Sequence, residues 1–165
     1  MDQETRDRLA AIEQRLAALE GRAEPAAEVA TDDRFWALNA LKQLVDAPGA
    51  VLFTGTVTLA EGESYEWQEG RPVDALVGQD WAELAANLGA LGHPVRLALV
   101  QEILRGRRTT HELSGDERFG TSGQLYHHLR QLVSAGWLKQ AGRGHYAVPP
   151  QRVVPLLAIV MGADR

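Results

Sequence analysis

The stretch LYHHLRQLVSAGWL, residues 125–138, decides the fold of the second half of this chain. Its aliphatic residues recur three and four positions apart, which is the spacing of one buried helix face. This face consists of Leu125, Leu129, Leu132 and Val133. Thr121 can cap the helix at its start, and Gly136 can end it. The sequence therefore predicts a helix that packs along one side and leaves the other side to solvent.

The elements around this helix follow a recognisable order. Upstream, a helical period begins at Pro94, where the missing N–H costs little, and Thr109 or Thr110 opens a second, short helix. Downstream, WLKQA and HYAV predict two strands around the turn at residues 142–144. Helix, short helix, helix and hairpin, in this order, predict a winged helix-turn-helix domain over residues 79–149.

Such a domain holds one helix so that its exposed face can enter the major groove of DNA. Gln124 and His127 are expected to face the base edges, while Arg130 and Arg143 are expected on phosphates or in the minor groove. Tyr126 is expected either to contact DNA or to pack on the hairpin. The full set of predicted DNA contacts is Thr121, Ser122, Gln124, Tyr126, His127, Arg130 and Arg143.

Two stretches resemble the ArsR-type winged helix-turn-helix repressors. ALGHPVRLALVQEIL has Pro94, Arg96 and Leu97 at that family's P-x-R-L pattern, and LYHHLRQLVSAGWL is similar to its recognition-helix signature. The likeness covers residues 82–149 and implies a dimeric DNA-binding regulator in which the recognition-helix face meets DNA. The family's metal-sensing members often have a cysteine pair before the turn, or Asp and His on the last helix. This chain has TTHEL and QRVVPLLAIVMGAD there, so no metal-sensing role is implied.

Charge is divided unevenly along the chain. Residues 1–92 contain 7 basic and 17 acidic side chains, whereas residues 93–152 contain 9 basic and 4 acidic ones, together with all five histidines. An acidic half beside a basic half suggests that only the second half meets a polyanion, with chance clustering as the alternative. The chain has no cysteine, which excludes disulfides and thiolate metal sites.

The N-terminal half and the C-terminus have other patterns. Residues 1–20 predict a helix with a coiled-coil seam, and residues 32–78 predict a helix, capped by Asp32 or Asp33, plus a β-hairpin with a bulge at Gly55. Residues 150–165 form an apolar segment. The fold class is α+β, mostly helical. We expect a homodimer that uses one or both terminal segments, through Leu9, Ile12, Leu16, Leu19, Leu156, Leu157 and Val160.

The aromatic residues of the first half leave two interpretations open. They can be ordinary core or dimer packing, or they can line a pocket for a small-molecule effector. The pocket would consist of Phe35, Trp36, Tyr65, Trp67 and Trp81. We expect no metal and no cofactor, because the adjacent His127 and His128 point about 100° apart on a helix. His128 is predicted to be partly buried and hydrogen-bonded.

Two functions are consistent with these patterns. The first is a sequence-specific, dimeric transcription regulator, a repressor in most proteins of this class, that binds an inverted repeat in double-stranded DNA and responds to a non-metal effector. The alternative is a winged-helix adaptor that binds proteins, as the overall charge of −5 suggests. No phosphate loop or nucleophile motif is present, so we expect no enzyme. The charged N-terminus and the absence of a long apolar run predict a cytoplasmic protein without membrane attachment.

Overall fold

The computed structural model describes residues 8, 14, 15, 34–60 and 62–164, and the fold is α+β. The chain divides into two compact units, residues 1–46 and residues 47–165. In the first unit, helix α1 spans Trp36–Leu44. Its N-cap is Phe35, so the predicted cap at Asp32 or Asp33 is wrong. The predicted seam residues Leu9, Ile12, Leu16 and Leu19 lie outside the described residues.

The second unit opens with a long antiparallel hairpin. Strand β1 spans Ala50–Thr58 and strand β2 spans Ser64–Pro72, paired residue for residue. Gly55 lies opposite Trp67 in this regular register, so the predicted bulge at Gly55 is wrong. The glycine is required for a different reason. A Cβ at Gly55 would come within 2.8 Å of a methyl group of Val154.

Val154 belongs to the last helix, α7, which spans Pro150–Ala163 and packs on both strands of the hairpin. The hairpin is therefore part of the second unit. The sequence groups it instead with the preceding helix, as a module of residues 32–78. Within the part of the chain that the structure describes, no helix is long and apolar enough to cross a membrane.

A short helix, α2, at Val73–Gly78 follows the hairpin. The sequence predicts one helix over the next residues, 79–92. The structure has a 3₁₀ turn at Trp81–Leu84 followed by helix α3 at Ala85–Leu91. The Asp80 side chain caps the turn by accepting the N–H of Ala82 at 2.9 Å.

The remaining elements follow the predicted order. Their bounds are α4 Pro94–Leu104, α5 Thr110–Ser114, a 3₁₀ turn Glu117–Phe119, α6 Ser122–Ser134, β3 Lys139–Gly142 and β4 His145–Ala147. Pro94 begins α4, Thr109 caps α5, and Gly136 follows the end of α6 with a φ of +72°. The core lies between α4, α6 and α7, with Leu99, Leu129 and Val153 wholly enclosed.

Candidate nucleic-acid interface

Helix α6 begins in a reciprocal cap. The hydroxyl of Thr121 accepts the backbone N–H of Gln124 at 3.4 Å, and Oε1 of Gln124 accepts the backbone N–H of Thr121 at 2.8 Å. Such a capping box satisfies two backbone donors at the helix start. Both residues were predicted to contact DNA, and both have a structural role here as well. The amide N–H₂ group of Gln124 is not used by the cap and can still donate to another partner.

Helix α6 has one buried and one exposed face. Leu125, Leu129 and Leu132 are buried against the core as predicted, but Val133, predicted on the same face, is exposed. The predicted contact residues are on the solvent side and are exposed: Ser122, Gln124, Tyr126, His127 and Arg130. The helix therefore presents donors and acceptors along one continuous surface, which is what reading base edges or holding phosphates requires.

Two exposed arginines leave positive charge on this side of the molecule. Arg130 lies on α6, where its Nε donates to the carbonyl of Tyr126 at 3.4 Å. Arg143 lies in the β3–β4 turn between Gly142 and Gly144. Among the described residues, no carboxylate lies within 4.0 Å of either guanidinium. Their charge is therefore available to an external anion.

Other arginines of the basic half are neutralised inside an ionic cluster. The carboxylate of Glu102, only 5 % exposed, accepts from Arg105, Arg107 and Arg118 at 3.1–3.2 Å. Asp116 also pairs with Arg107 and Arg118, at 3.0 and 2.7 Å. Burial alone would raise the pKa of Glu102, but the hydrogen bonds from the three arginines outweigh it and lower the pKa. The five residues hold the end of α4 to the turn that precedes α6.

The β3–β4 hairpin is fixed to the segment 108–110 along its returning strand. The N–H of Tyr146 donates to the carbonyl of Arg108 at 2.8 Å, and the N–H of Thr110 donates to the carbonyl of Gly144 at 2.8 Å. Between these two bonds, Thr109 pairs with His145 in an antiparallel bridge. Residues 108–110 thus act as a third strand beside β4, directly before α5.

The side chain of Arg108 reaches the first hairpin. It is 9 % exposed and donates to both carboxylate oxygens of Glu63, at 3.1 and 2.5 Å. The hydroxyl of Tyr65 donates to the same carboxylate at 3.1 Å. The hydrogen bond from Arg108, partly opposed by burial, lowers the pKa of Glu63. The turn of the β1–β2 hairpin is therefore bonded to Arg108, which lies beside the β3–β4 hairpin.

Three of the five histidines lie together, with the ring of His128 in contact with two others. His128 is half-buried, and its ring lies 4.9 Å from that of His93 and 5.7 Å from that of His127. Its Nδ1 is enclosed without a hydrogen-bond partner among the described residues, so the predicted hydrogen bond of His128 is absent at that atom. His93 instead uses its Nδ1 to accept the N–H of Val95 at 3.2 Å. Within the described ranges, no group of three His, Asp or Glu side chains could hold a metal ion.

The aromatic residues proposed for a pocket are in different surroundings. Phe35 and Trp36 belong to the first unit and are exposed. In the second unit, Tyr65 packs against the core, Trp67 is half-buried, and Trp81 is exposed with its indole N–H donating to the carbonyl of Leu76 at 2.8 Å.

Two clefts lie in the second unit. The larger, about 620 Å³, is bounded by α3, α6 and Arg96 and is open to solvent. The smaller, about 120 Å³, includes Tyr65 beside Glu63 and Arg108. Neither lining includes Trp67 or Trp81, so these two clefts do not correspond to the predicted aromatic pocket.

The predicted dimerisation residues of the C-terminal segment differ from one another in exposure. Leu156 is 2 % exposed inside its own chain, and Leu157 is half-buried against the same core. Leu156 therefore contributes to folding of the subunit and not to an accessible surface, because α7 turns that side toward the core. Val160 is exposed, as are Ile159 and Met161 on the last turns of the helix. Leu9, Ile12, Leu16 and Leu19 lie outside the described residues.

Sequence reasoning missed both ionic links. The cluster around Glu102 had a local signal in the spacing of Glu102, Arg105, Arg107 and Asp116, which could have been read as an ion-paired turn. The pair between Glu63 and Arg108 had none, because 45 positions separate its partners. Comparison of the chain with protein-family models, with curated proteins and with solved structures finds no match.

Proposed function

We propose that this chain is a sequence-specific, dimeric, DNA-binding transcription regulator built on a winged helix-turn-helix. The observation that carries the proposal is the exposed polar face of α6, together with two exposed arginines, on α6 and at the β3–β4 turn, that have no carboxylate partner among the described residues. In this proposal α6 is the recognition helix and the β3–β4 hairpin is the wing. The protein acts in the cytoplasm as a homodimer that binds an inverted repeat, and it carries out no catalysis.

Each part of the surface has a separate task in this proposal. Arg130 and Arg143 hold phosphates or the minor groove, which supplies affinity that falls as salt rises. Gln124 and His127 face the base edges, where the free amide N–H₂ group of Gln124 can donate to an acceptor on a base. The cap gives Gln124 a fixed starting position at the first turn of α6, because its Oε1 is already bonded to Thr121.

A salt titration is the first test of this function. We expect the protein to bind a random-sequence duplex with an affinity that falls linearly on logarithmic axes as salt rises. Selection of binding sites from a random pool should then yield an inverted repeat with half-sites about 10 base pairs apart. Binding that does not depend on salt, or a pool that does not converge, would contradict the proposal.

The alternative adaptor function rests on the exposed apolar side chains before α4. Trp81 is 63 % exposed and Leu88 is 51 % exposed, on a chain whose net charge is −5. A protein-binding module would use such a surface and need no DNA. Substituting Trp81 and Leu88 with serine distinguishes the two functions, since an adaptor loses its partner while the affinity of one half-site for DNA stays unchanged.

A further inference from the structure

The acidic β1–β2 hairpin contacts the polar network at the base of the β3–β4 hairpin. Glu63 lies directly before β2 and holds Arg108 through two carboxylate–guanidinium contacts. Bidentate pairs of this kind fix orientation as well as distance. Arg108 is almost fully buried, so the carboxylate compensates the burial of its charge.

The backbone of Arg108 carries this constraint to two neighbouring elements. Its N–H donates to Oε2 of Glu112 at 3.1 Å, inside the capping box of α5. Its carbonyl accepts the N–H of Tyr146 on β4. Arg108 therefore links Glu63 to strand β4, through its side chain on one side and its backbone on the other. Strand β4 is the strand that follows Arg143.

We propose that Glu63 and Arg108 are positioning residues that fix the β3–β4 hairpin, and with it Arg143, for contact with DNA. The inference rests on the proposed function for its DNA readout. Its structural part, a link from the first hairpin to the second, stands without it. The β1–β2 hairpin then acts as a rigid support whose register decides where the wing tip lies.

The geometry favours positioning over simple stabilisation. Glu63 bonds to Arg108 at the point where the three-residue ladder of 108–110 with β4 begins. Strand β4 has only three residues, and its pairing with β3 is irregular near Gly142. A two-stranded hairpin this short is marginal by itself, so its position depends on what holds β4 on the side away from β3.

Glu63→Gln is the informative variant because the side chain of Glu63 is 41 % exposed, whereas a change at buried Arg108 could prevent folding. Glu69→Gln is the matched control. Glu69 lies on β2 of the same hairpin and pairs with Arg71 at 3.0 Å, but that pair does not reach β4.

The first measurement needs no DNA. Amide hydrogen exchange at Tyr146 and Thr110 should accelerate about tenfold in Glu63→Gln relative to the Leu129 amide in the core, as expected when a local opening becomes easier without global unfolding. Glu69→Gln should leave this ratio unchanged. If all three amides accelerate equally, or none does, Glu63 does not hold the hairpin and the inference is overturned.

The second measurement uses the selected operator. Glu63→Gln should weaken binding by about threefold to tenfold in the wild-type background, the usual range for one charged hydrogen bond to a positioned group. In an Arg143→Ala background the same change should have little further effect, because the wing tip has already lost its contact. Equal losses in both backgrounds would overturn the positioning role. If the wild type binds no DNA, the proposed function fails while the exchange result still decides the link.

Discussion

The two hairpins of the second unit are built in opposite ways. The β1–β2 hairpin has nine-residue strands in a regular register and packs on helix α7. The β3–β4 hairpin has strands of four and three residues, an irregular register, and an exposed arginine between two glycines at its turn. The first is held by its own ladder and by a helix, whereas the second is held by the buried side chain of Tyr146 and by the segment 108–110 beside it.

This difference shows how a small domain can use one hairpin as a rigid support and another to approach a ligand. Long strands and a half-buried face that packs on α7 fix the first hairpin, so its turn can serve as an anchor. A short hairpin with an open tip can approach a ligand closely because it carries little bulk. Glu63, at the turn of the first hairpin, and Arg108, beside the second, join the two hairpins. Four experiments can break or sharpen the contrast.

The largest expected effect is at the close approach of β1 to α7. Gly55→Ala places a Cβ 2.8 Å from a methyl group of Val154, which is itself buried. Overpacking of this kind costs about 1–3 kcal/mol. Chemical denaturation measures the loss. Gly89→Ala is the control, since nothing lies within 4 Å of the added atom there.

The Gly55 prediction has an internal check. Val154→Ala removes the methyl group, so the double variant Gly55→Ala/Val154→Ala should recover part of the stability lost in Gly55→Ala alone. Purely additive losses would show that α7 does not pack on Gly55 and that the first hairpin is held by its ladder alone.

The next effect compares one arginine from each hairpin. Arg143→Ala should weaken DNA binding for all sequences and lower the salt slope by about one unit, because one phosphate contact is lost. Arg71→Ala should change neither quantity, since Arg71 pairs with Glu69 on β2. Fluorescence anisotropy with a labelled duplex at several salt concentrations measures both. Equal slopes for the two variants would contradict the assignment of a DNA contact to the second hairpin and none to the first.

The sequence predicted the second hairpin well and the role of the first poorly. Strands β3 and β4 follow from local signals, the glycines around Arg143 and the short apolar runs on either side. The sequence also predicted the strands of the first hairpin, but it did not predict that helix α7 packs on them. Gly55 in an alternating strand favours a bulge when no helix is known to lie across it. Contacts such as those of Glu63 with Arg108, or of Gly55 with Val154, depend on tertiary packing that a single sequence does not encode locally.

The site on α6 was likewise predictable in part. The period of Leu125, Leu129 and Leu132 fixed which side chains are exposed, because a helix has one buried stripe. The cap interaction of Gln124 was not anticipated, although Thr121 and Gln124 have the spacing of a capping box. The absence of a hydrogen bond at Nδ1 of His128 was not predictable, because it depends on the packing of this ring against His93.

Acid should separate the two hairpins. The pKa of Glu63 is lowered in the fold, chiefly by its hydrogen bond from Arg108, so its contribution is present above the ordinary value of 4.5 and is lost as pH falls through the folded pKa. Protection of the Tyr146 amide should therefore fall in that window before protection within β1 and β2 does. The same series in Glu63→Gln corrects for the other carboxylates, and an identical pH dependence in the variant would exclude Glu63 as the cause.

The smallest expected effect is near neutral pH and involves neither hairpin. Burial, together with the nearby His93, His127 and Arg96, lowers the pKa of His128 below the ordinary value of 6.5. A histidine with a lowered pKa stabilises the fold fully above 6.5, and this contribution is lost progressively as pH falls below that value, by at most about 1.4 kcal/mol per pH unit. Denaturation of the wild type and of His128→Leu at pH 7.5 and 5.5 should show a shallower loss in the variant, with His111→Gln, an exposed change on α5, as the control. Because Glu63 remains ionised across this range, the Tyr146 amide should keep its protection relative to the core at both pH values. If that relative protection falls already at pH 5.5, protonation of His128 on α6 also loosens the second hairpin. The position of that hairpin then does not depend on Glu63 alone.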